Sequence, residues 1–517
     1  MADDIQGFAM LFLLGLISIV VVTLTSILYK RRRKLRLPPG PLALPIIGHM
    51  HLIGSIPHQS FHKISNRYGP LIHLLLGSVP CVVVSSAEAA KEVLKSHDHD
   101  FSDKPITLAT NYITYGADVV FSPYGPYFKF MKKLCMSELL NGQVLNQFIP
   151  LRKEELQRFL QSIFKRACTA EPVDVRQEVL SLTLNTITRM VMNTRCSAEE
   201  DQAQEAIMAV QDALELIGRF NLSDYIGFCR NLDLQGVKKR MKDVRHRFDN
   251  IIDKIITDHE EARREKMGDG GDRVETLLDL LLDIYEDEEA EIRLTKTNVK
   301  AFILDLFLGG SDTSGLTIEW AMSELINNPP VLEKAREEID LVVGKSRLVE
   351  VSDLPNLPYL QAIVKETLRL HPGIPLILRS STRYCKIWGY DIPAKTTTFV
   401  NVWAIGRDPK YWDNPLQFRP ERFMIEDGSN KLNQIDVRGQ HFQMLTFGSG
   451  RRICPGISFA LQTVQTTLAS VIQCFEWKFG NGKNVKVDME ESVSISLPKA
   501  HRLICVATPR LNPLPLT

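Results

Sequence analysis

The chain has 517 residues, 44% of them hydrophobic and 24% charged, with a formal net charge of +1. This is an ordinary globular composition with enough apolar residues for a large core, and the balanced charge removes any global argument for nucleic-acid binding. The nine cysteines are scattered, odd in number and never spaced Cys-x-x-Cys, which argues against a disulfide framework or structural zinc and suits a reducing, cytosol-facing compartment.

No charged residue occurs from Ile5 to Tyr29, a stretch long enough to cross a hydrocarbon core of about 30 Å as a helix. Asp3 and Asp4 precede it, and Lys30, Arg31, Arg32, Arg33, Lys34 and Arg36 follow it. Positive charge after a long apolar run, and not before a short one, predicts an uncleaved single-pass anchor over residues 1–30 with the rest of the chain on the cytosolic side. Leu37-Pro38-Pro39-Gly40-Pro41 follows, making residues 31–48 a basic, proline-stiffened hinge. No Gly/Ser-rich linker or repeat divides the remainder, so residues 49–517 are expected to form one body.

Within that body, Leu71-Ile72-His73-Leu74 and Cys81-Val82-Val83-Val84 read as two short strands joined across Gly77 to Pro80. The run His97-Asp98-His99-Asp100 reads as a polar loop. Much of 87–340 has helical periodicity, with a solvated, charge-dense end between Asp258 and Arg273. Val299 to Leu325 is expected to be one long core helix. It contains Gly309-Gly310-Ser311-Asp312-Thr313-Ser314, whose glycines and small hydroxyl residues are poor helix formers and favour a local distortion. Tyr359 to Leu370 reads as a helix in which Glu366 and Arg369 share a face and can pair. Further strands are expected at Cys385 to Ile392 and Thr396 to Val400. The predicted fold is mainly α with small β-sheets.

The most informative segment is Phe447-Gly448-Ser449-Gly450-Arg451-Arg452-Ile453-Cys454-Pro455-Gly456. A thiolate is stabilised by nearby positive charge and by amides at a helix N-terminus. The stretch from Ile457 to Phe475 can provide that helix, with Pro455 in its first turn. Gly450 and Gly456 are expected to turn the backbone so that amides approach the sulfur. Arg452 is placed to pair with a haem propionate, and Phe447 to shield the sulfur. These residues point to Cys454 as the axial ligand of a haem iron, a ligation that favours O–O cleavage.

The loop resembles that of the cytochrome P-450 superfamily of haem-thiolate monooxygenases. The resemblance implies the cytochrome P-450 fold with an N-terminal transmembrane helix, haem b as cofactor, and Asp312 and Thr313 as the acid–alcohol pair that delivers protons. It also makes Arg422, in Pro420-Glu421-Arg422-Phe423, the third member of a structural triad with Glu366 and Arg369. Tyr127-Phe128-Lys129-Phe130-Met131-Lys132 matches the family's propionate motif, with Phe128 in place of tryptophan and Lys132 in place of arginine, and Arg379 is a second propionate candidate. Thr446 replaces the usual proline before Phe447.

Further segments resemble one plant branch: Ala43 to His49, Phe130 to Cys135, Asn401 to Pro409 and Asp436 to His441. That branch holds flavone synthase II, isoflavone synthase, dihydroxypterocarpan 6a-hydroxylase and β-amyrin 24-hydroxylase, and the pterocarpan-hydroxylase type is nearest. The resemblance implies a single-pass endoplasmic-reticulum enzyme that takes electrons from NADPH–haemoprotein reductase and uses O₂ to hydroxylate or desaturate a hydrophobic polycyclic metabolite, a flavonoid or isoflavonoid before a triterpenoid. Substrate-lining segments would be Ile106 to Phe121, Phe302 to Thr313, Gly373 to Leu378 and Ser492 to Leu497. A haem-thiolate isomerase or dehydratase is the competing class; relatives of that kind tend to lose the acid–alcohol pair.

Overall fold

The computed structural model describes residue 10 and residues 14–20, 35–193, 195, 200–230, 232–269, 276–425, 427, 430–480 and 486–515. Most of the expected anchor lies outside these residues. Its described part, Met10 and residues 14–20, is helical with exposed side chains. No helix among the described residues is long and apolar enough to cross a membrane. The described part of the hinge is tied to the body: Arg36 N donates to Asp391 Oδ2 at 2.6 Å, the Arg36 carbonyl accepts the Asp391 amide at 2.7 Å, and the Pro39 carbonyl accepts from His73 N at 2.9 Å.

The two expected strands are Leu71–Leu76 (β1) and Val79–Val84 (β2), paired antiparallel. Gly77 makes their turn at φ +57°, where a Cβ would sit 2.2 Å from the Tyr225 carbonyl, so both backbone angle and space require glycine. β2 pairs in parallel with Thr397–Asn401 (β7), which pairs antiparallel with Leu376–Ser380 (β4), giving the order β1-β2-β7-β4. Cys385–Ile387 (β5) and Tyr390–Ile392 (β6) form a hairpin. A further sheet joins Pro172–Asp174 (β3), Ile504–Pro509 (β9) and Phe475–Lys478 (β8). Such three- to six-residue strands carry little period-2 signal of their own, which is why β3, β4, β8 and β9 escape sequence reading.

Helices fill the rest. Those that build the site are Pro57–Tyr68 (α1), Pro126–Cys135 (α2), Ile149–Cys168 (α3), Val175–Met192 (α4), Lys296–Gly310 (α5), Asp312–Asn327 (α6), Pro358–Leu370 (α7) and Ile457–Cys474 (α8). Proline occupies the first turn of α1, α2, α3 and α7, where its missing N–H costs nothing. A Thr295–Asn298 capping box starts α5. The helix expected over Val299 to Leu325 is thus two segments broken at Ser311. The break has a local cause: the Ser311 and Thr313 hydroxyls bond the carbonyls of Phe307 and Gly309 four residues back, beside two glycines of low helix propensity. Every residue of α6 from Ser314 to Leu325 is buried, and α6 packs on α4, α7 and α8. It is a helix of the deep core, not of an amphipathic surface.

Candidate active site

The Cys454 loop is held from both ends. Cys454 N donates to the Phe447 carbonyl at 3.0 Å. Gly450 has φ +72°, and a Cβ there would lie 2.6 Å from the Leu94 carbonyl and 2.5 Å from Asp98 Oδ1, so the loop seats against the 92–98 segment only with glycine at that position. Asp98 accepts the Arg451 amide at 3.2 Å and its Nη1 at 2.9 Å. The polar run His97–Asp100 therefore supplies a loop anchor, which a reading of the run by itself missed. Gly456, with a right-handed φ of −86°, caps α8, so Pro455 lies before the helix and not in its first turn as expected. Its amide is directed at Cys454 Sγ. Burial pushes the Cys454 thiol above its ordinary range; the Gly456 amide and the charges of Lys104 and Lys132 pull it back. Thr446, where proline is usual, donates its hydroxyl to the Leu368 carbonyl at 2.9 Å and so ties the loop to α7.

Around the cysteine stand Lys104, Lys132, Arg379 and Arg452. Lys132 Nζ donates to the carbonyls of Arg451 and Ile453 at 2.9 and 3.4 Å. Arg379, 2% exposed, donates Nη1 to the Leu378 carbonyl at 2.9 Å. Arg452 stacks 3.9 Å over the Phe128 ring. Its guanidinium is spent on backbone carbonyls: Ser102 at 2.8 Å, Ser122, and more weakly Val119 and Val120. Lys104 lies 5.2 Å from the Phe121 ring centre. Among the described residues, none of these four cations has a carboxylate in ion-pair contact. Burial and the repulsion of Arg379 and Arg452 push Lys104 down to about 7, and burial holds Arg379 and Arg452 down to about 10. Arg379 and Arg452 are buried and Lys104 and Lys132 half-buried, and buried cations that lack counter-charges are costly alone. A thiol flanked by them fits haem b, whose iron would be held by the sulfur and whose carboxylates would supply the missing negative charge. Sequence reading missed Lys104 because a single lysine in a loop carries no motif.

On the other side of the cleft, Gly309 is exposed although Phe307, Leu308, Ser311 and Asp312 around it are buried. It forms a notch with Thr313, whose Oγ1 donates to the Gly309 carbonyl at 2.9 Å. Gly373 lies across from it; a Cβ there would be 3.4 Å from Thr313 Cβ. Asp312 faces the opposite way. It is fully buried, Oδ1 accepts Arg176 Nη2 at 3.0 Å, and Oδ2 has no partner among the described residues. Arg176 comes from α4, 136 residues away, and nothing near it in the sequence announces the pairing.

The four segments expected to line the cleft meet in the fold. Asp305 Oδ2 on α5 accepts the Val119 amide at 2.7 Å, Thr313 faces Gly373, and Leu497 N donates to the Gly373 carbonyl at 3.2 Å. Behind the loop, Glu366, Arg369 and Arg422 join as one network. Arg369 makes a two-pronged bond to Glu366 at 2.7 Å for each prong, and Arg422 Nε donates to Glu366 Oε1 at 2.9 Å. Arg369 also donates to the carbonyls of Gly406 and Pro415.

The sequence profile of the family described as Cytochrome P450 matches residues 38–506. The chain belongs to the cytochrome P450 family. This cytochrome P450 is 56% identical over 497 residues to "Cytochrome P450 93A2" of Glycine max, covering 96% of this chain and 97% of that one. It is 53% identical to "3,9-dihydroxypterocarpan 6A-monooxygenase" of Glycine max, with 97% and 98% covered. To "Beta-amyrin 24-hydroxylase" of Glycine max it is 46% identical, with 99% of each covered. Among solved structures, a zebra fish cytochrome P450 with progesterone superposes with a TM-score of 0.73 at 25% identity, covering 88% of this chain and 99% of that one. The P450 is therefore a haem-thiolate monooxygenase of this plant branch. It binds haem b and uses O₂, a redox partner and a hydrophobic substrate.

Proposed function

We propose that this P450 hydroxylates a polycyclic flavonoid or isoflavonoid of the pterocarpan type. The observation that carries the reading is the exposed Gly309 beside Thr313 at the break between α5 and α6, with Gly373 facing Thr313 and largely apolar residues in the flanking segments Ile106 to Phe121 and Phe302 to Leu308. The 53% identity to a named pterocarpan monooxygenase supports that substrate class. A flat, apolar ligand suits such a wall.

In this reading Cys454 would hold the haem iron through its thiolate, and the Gly456 N–H and Lys132 would temper its charge. Haem, when bound, supplies the oxygen-activating centre. Lys104, Lys132 and Arg379 would hold its carboxylates, while Arg452, stacked on Phe128, would contribute charge. Thr313 Oγ1 faces the notch as an acceptor while its own proton is held by the Gly309 carbonyl, and it would deliver that proton by turning out of this bond. Asp312 Oδ2, the free acceptor beside Arg176, takes up and passes a proton from the far side of the helix break, a general-acid duty. Glu366, Arg369 and Arg422 brace the loop. Residues 1–30 anchor the protein in the endoplasmic-reticulum membrane, residues 31–48 connect, and the body faces the cytosol to meet NADPH–haemoprotein reductase.

The test is expression with that reductase in microsomes, fed separately with pterocarpan, flavanone and β-amyrin-type triterpene. An NADPH- and O₂-dependent hydroxypterocarpan is the expected product. Turnover of the triterpene alone would replace the flavonoid assignment, and product formed without O₂ would move the enzyme to the isomerase class.

A further inference from the structure

Away from the cysteine loop, Arg152 on α3 is a nearly buried cation without an anion. It is 9% exposed. Its Nη1 donates to Gln462 Oε1 at 2.8 Å, and among the described residues no carboxylate pairs with it. Burial alone pushes it down to about 10, with no charged neighbour contributing. Other arginines in this part of the fold are neutralised: Arg189 holds both Glu154 and Glu155.

Arg152 borders a cavity of about 100 Å³ between α3, α4, α8 and residues Val349–Val351. That exceeds the roughly 30 Å³ share of one water. α8 turns Gln462, Thr463, Thr466 and Thr467 toward it, positions that share a helical face. The hydroxyls of Thr463 and Thr466 are buried and have no partner among the described residues. Lys153 and Glu350 also line the cavity, but they pair with each other at 2.9 Å and leave the local charge at that of Arg152.

We propose that this cavity is a binding site for a free oxyanion of the phosphate or sulfate class. A guanidinium and two unpartnered hydroxyls form a set of donors, and a tetrahedral oxyanion offers only acceptors. Such a ligand satisfies both hydroxyls and neutralises the buried charge in one event, whereas water satisfies the hydroxyls and leaves the charge unpaired.

The full chain, haem-loaded and in detergent, is unfolded thermally in rising sodium phosphate and, in parallel, in sodium chloride of equal ionic strength. Phosphate is expected to raise the midpoint saturably above the chloride series, as a ligand of the native state does. Equilibrium dialysis with radiolabelled phosphate is expected to give one site per chain. Arg152→Gln should raise the half-saturating phosphate concentration at least tenfold. The double variant Thr463→Val/Thr466→Val keeps the charge and removes the hydroxyl donors; it should shift the same concentration several-fold, and it carries the test if Arg152→Gln does not fold. A midpoint that follows ionic strength alone, or phosphate binding unchanged in the threonine variant, overturns the proposal.

Discussion

Thr313 and Asp312 are sequence neighbours, but the helix break sends them to different sides. Thr313 meets the notch, and Asp312 meets Arg176. Thr313→Ala keeps the wall of the notch and deletes its hydroxyl, so product per NADPH is expected to fall by roughly an order of magnitude or more. Hydrogen peroxide should rise in compensation; assaying both products in one reaction checks this. Arg176→Met is expected to destabilise the protein by about 3–5 kcal/mol, because it strands a fully buried carboxylate. Adding Asp312→Asn should recover most of that loss in denaturant unfolding, since the pair acts as a unit. If the double variant is no more stable than the single, the ion pair is not what Arg176 contributes.

At the scale of elements, the segment Val119–Ser122 sits between α5 and the cysteine loop. Asp305 takes the amides of Val119 and Val120, and Arg452 takes carbonyls of Val119, Val120 and Ser122. One wall of the cleft is thereby tied by its donors to one element and by its acceptors to another. Burial and the nearby Asp118 push the Asp305 carboxyl well above its ordinary range, so its value here is as an acceptor of amides more than as a charge. Asp305→Ala leaves two amides unpaired, a cost of about 1–3 kcal/mol each. Because the proposed reading makes the loosened segment a substrate wall, KM is expected to rise more than kcat falls in steady-state kinetics. Equal loss in both would place the effect on the reacting centre.

Across the whole molecule, Glu491 fastens the C-terminal segment to the N-terminal part of the body. It accepts His58 and Gln59 from α1 at 2.7 and 2.8 Å, and Trp403 Nε1 at 2.7 Å. Burial works against its ionised form, yet these donors hold it down at about 2 against a reference of 4.5. A depressed carboxyl contributes stability above its unfolded pKa that is lost as pH falls through its folded one. The contribution, about 3 kcal/mol by the shift, is expected to be complete above pH ~4.5 and to disappear between about 4.5 and 2. Glu491→Gln should flatten the stability-against-pH curve in that window, as measured by denaturant midpoints, and change it little above.

The sequence alone determined the chemistry class. The cysteine, its glycine turn, its following helix and the Gly-Gly-Ser-Asp-Thr-Ser break all lie within short windows, because amide donors and helix-breaking hydroxyls act over a few residues. The pairing of Glu366 with Arg369 was legible for the same reason, since i and i+3 share a face. Pro455 misled because proline suits a helix's first turn and the residues before it equally well, and the helix starts only after the Gly456 cap. The tertiary structure decided who stands opposite whom: Arg176 beside Asp312, Lys104 beside the thiol, Asp98 under the loop, Asp305 on the cleft wall and Arg152 without an anion. These depend on chain segments separated by up to hundreds of residues, and a charge carries no mark of the partner that folding will bring to it.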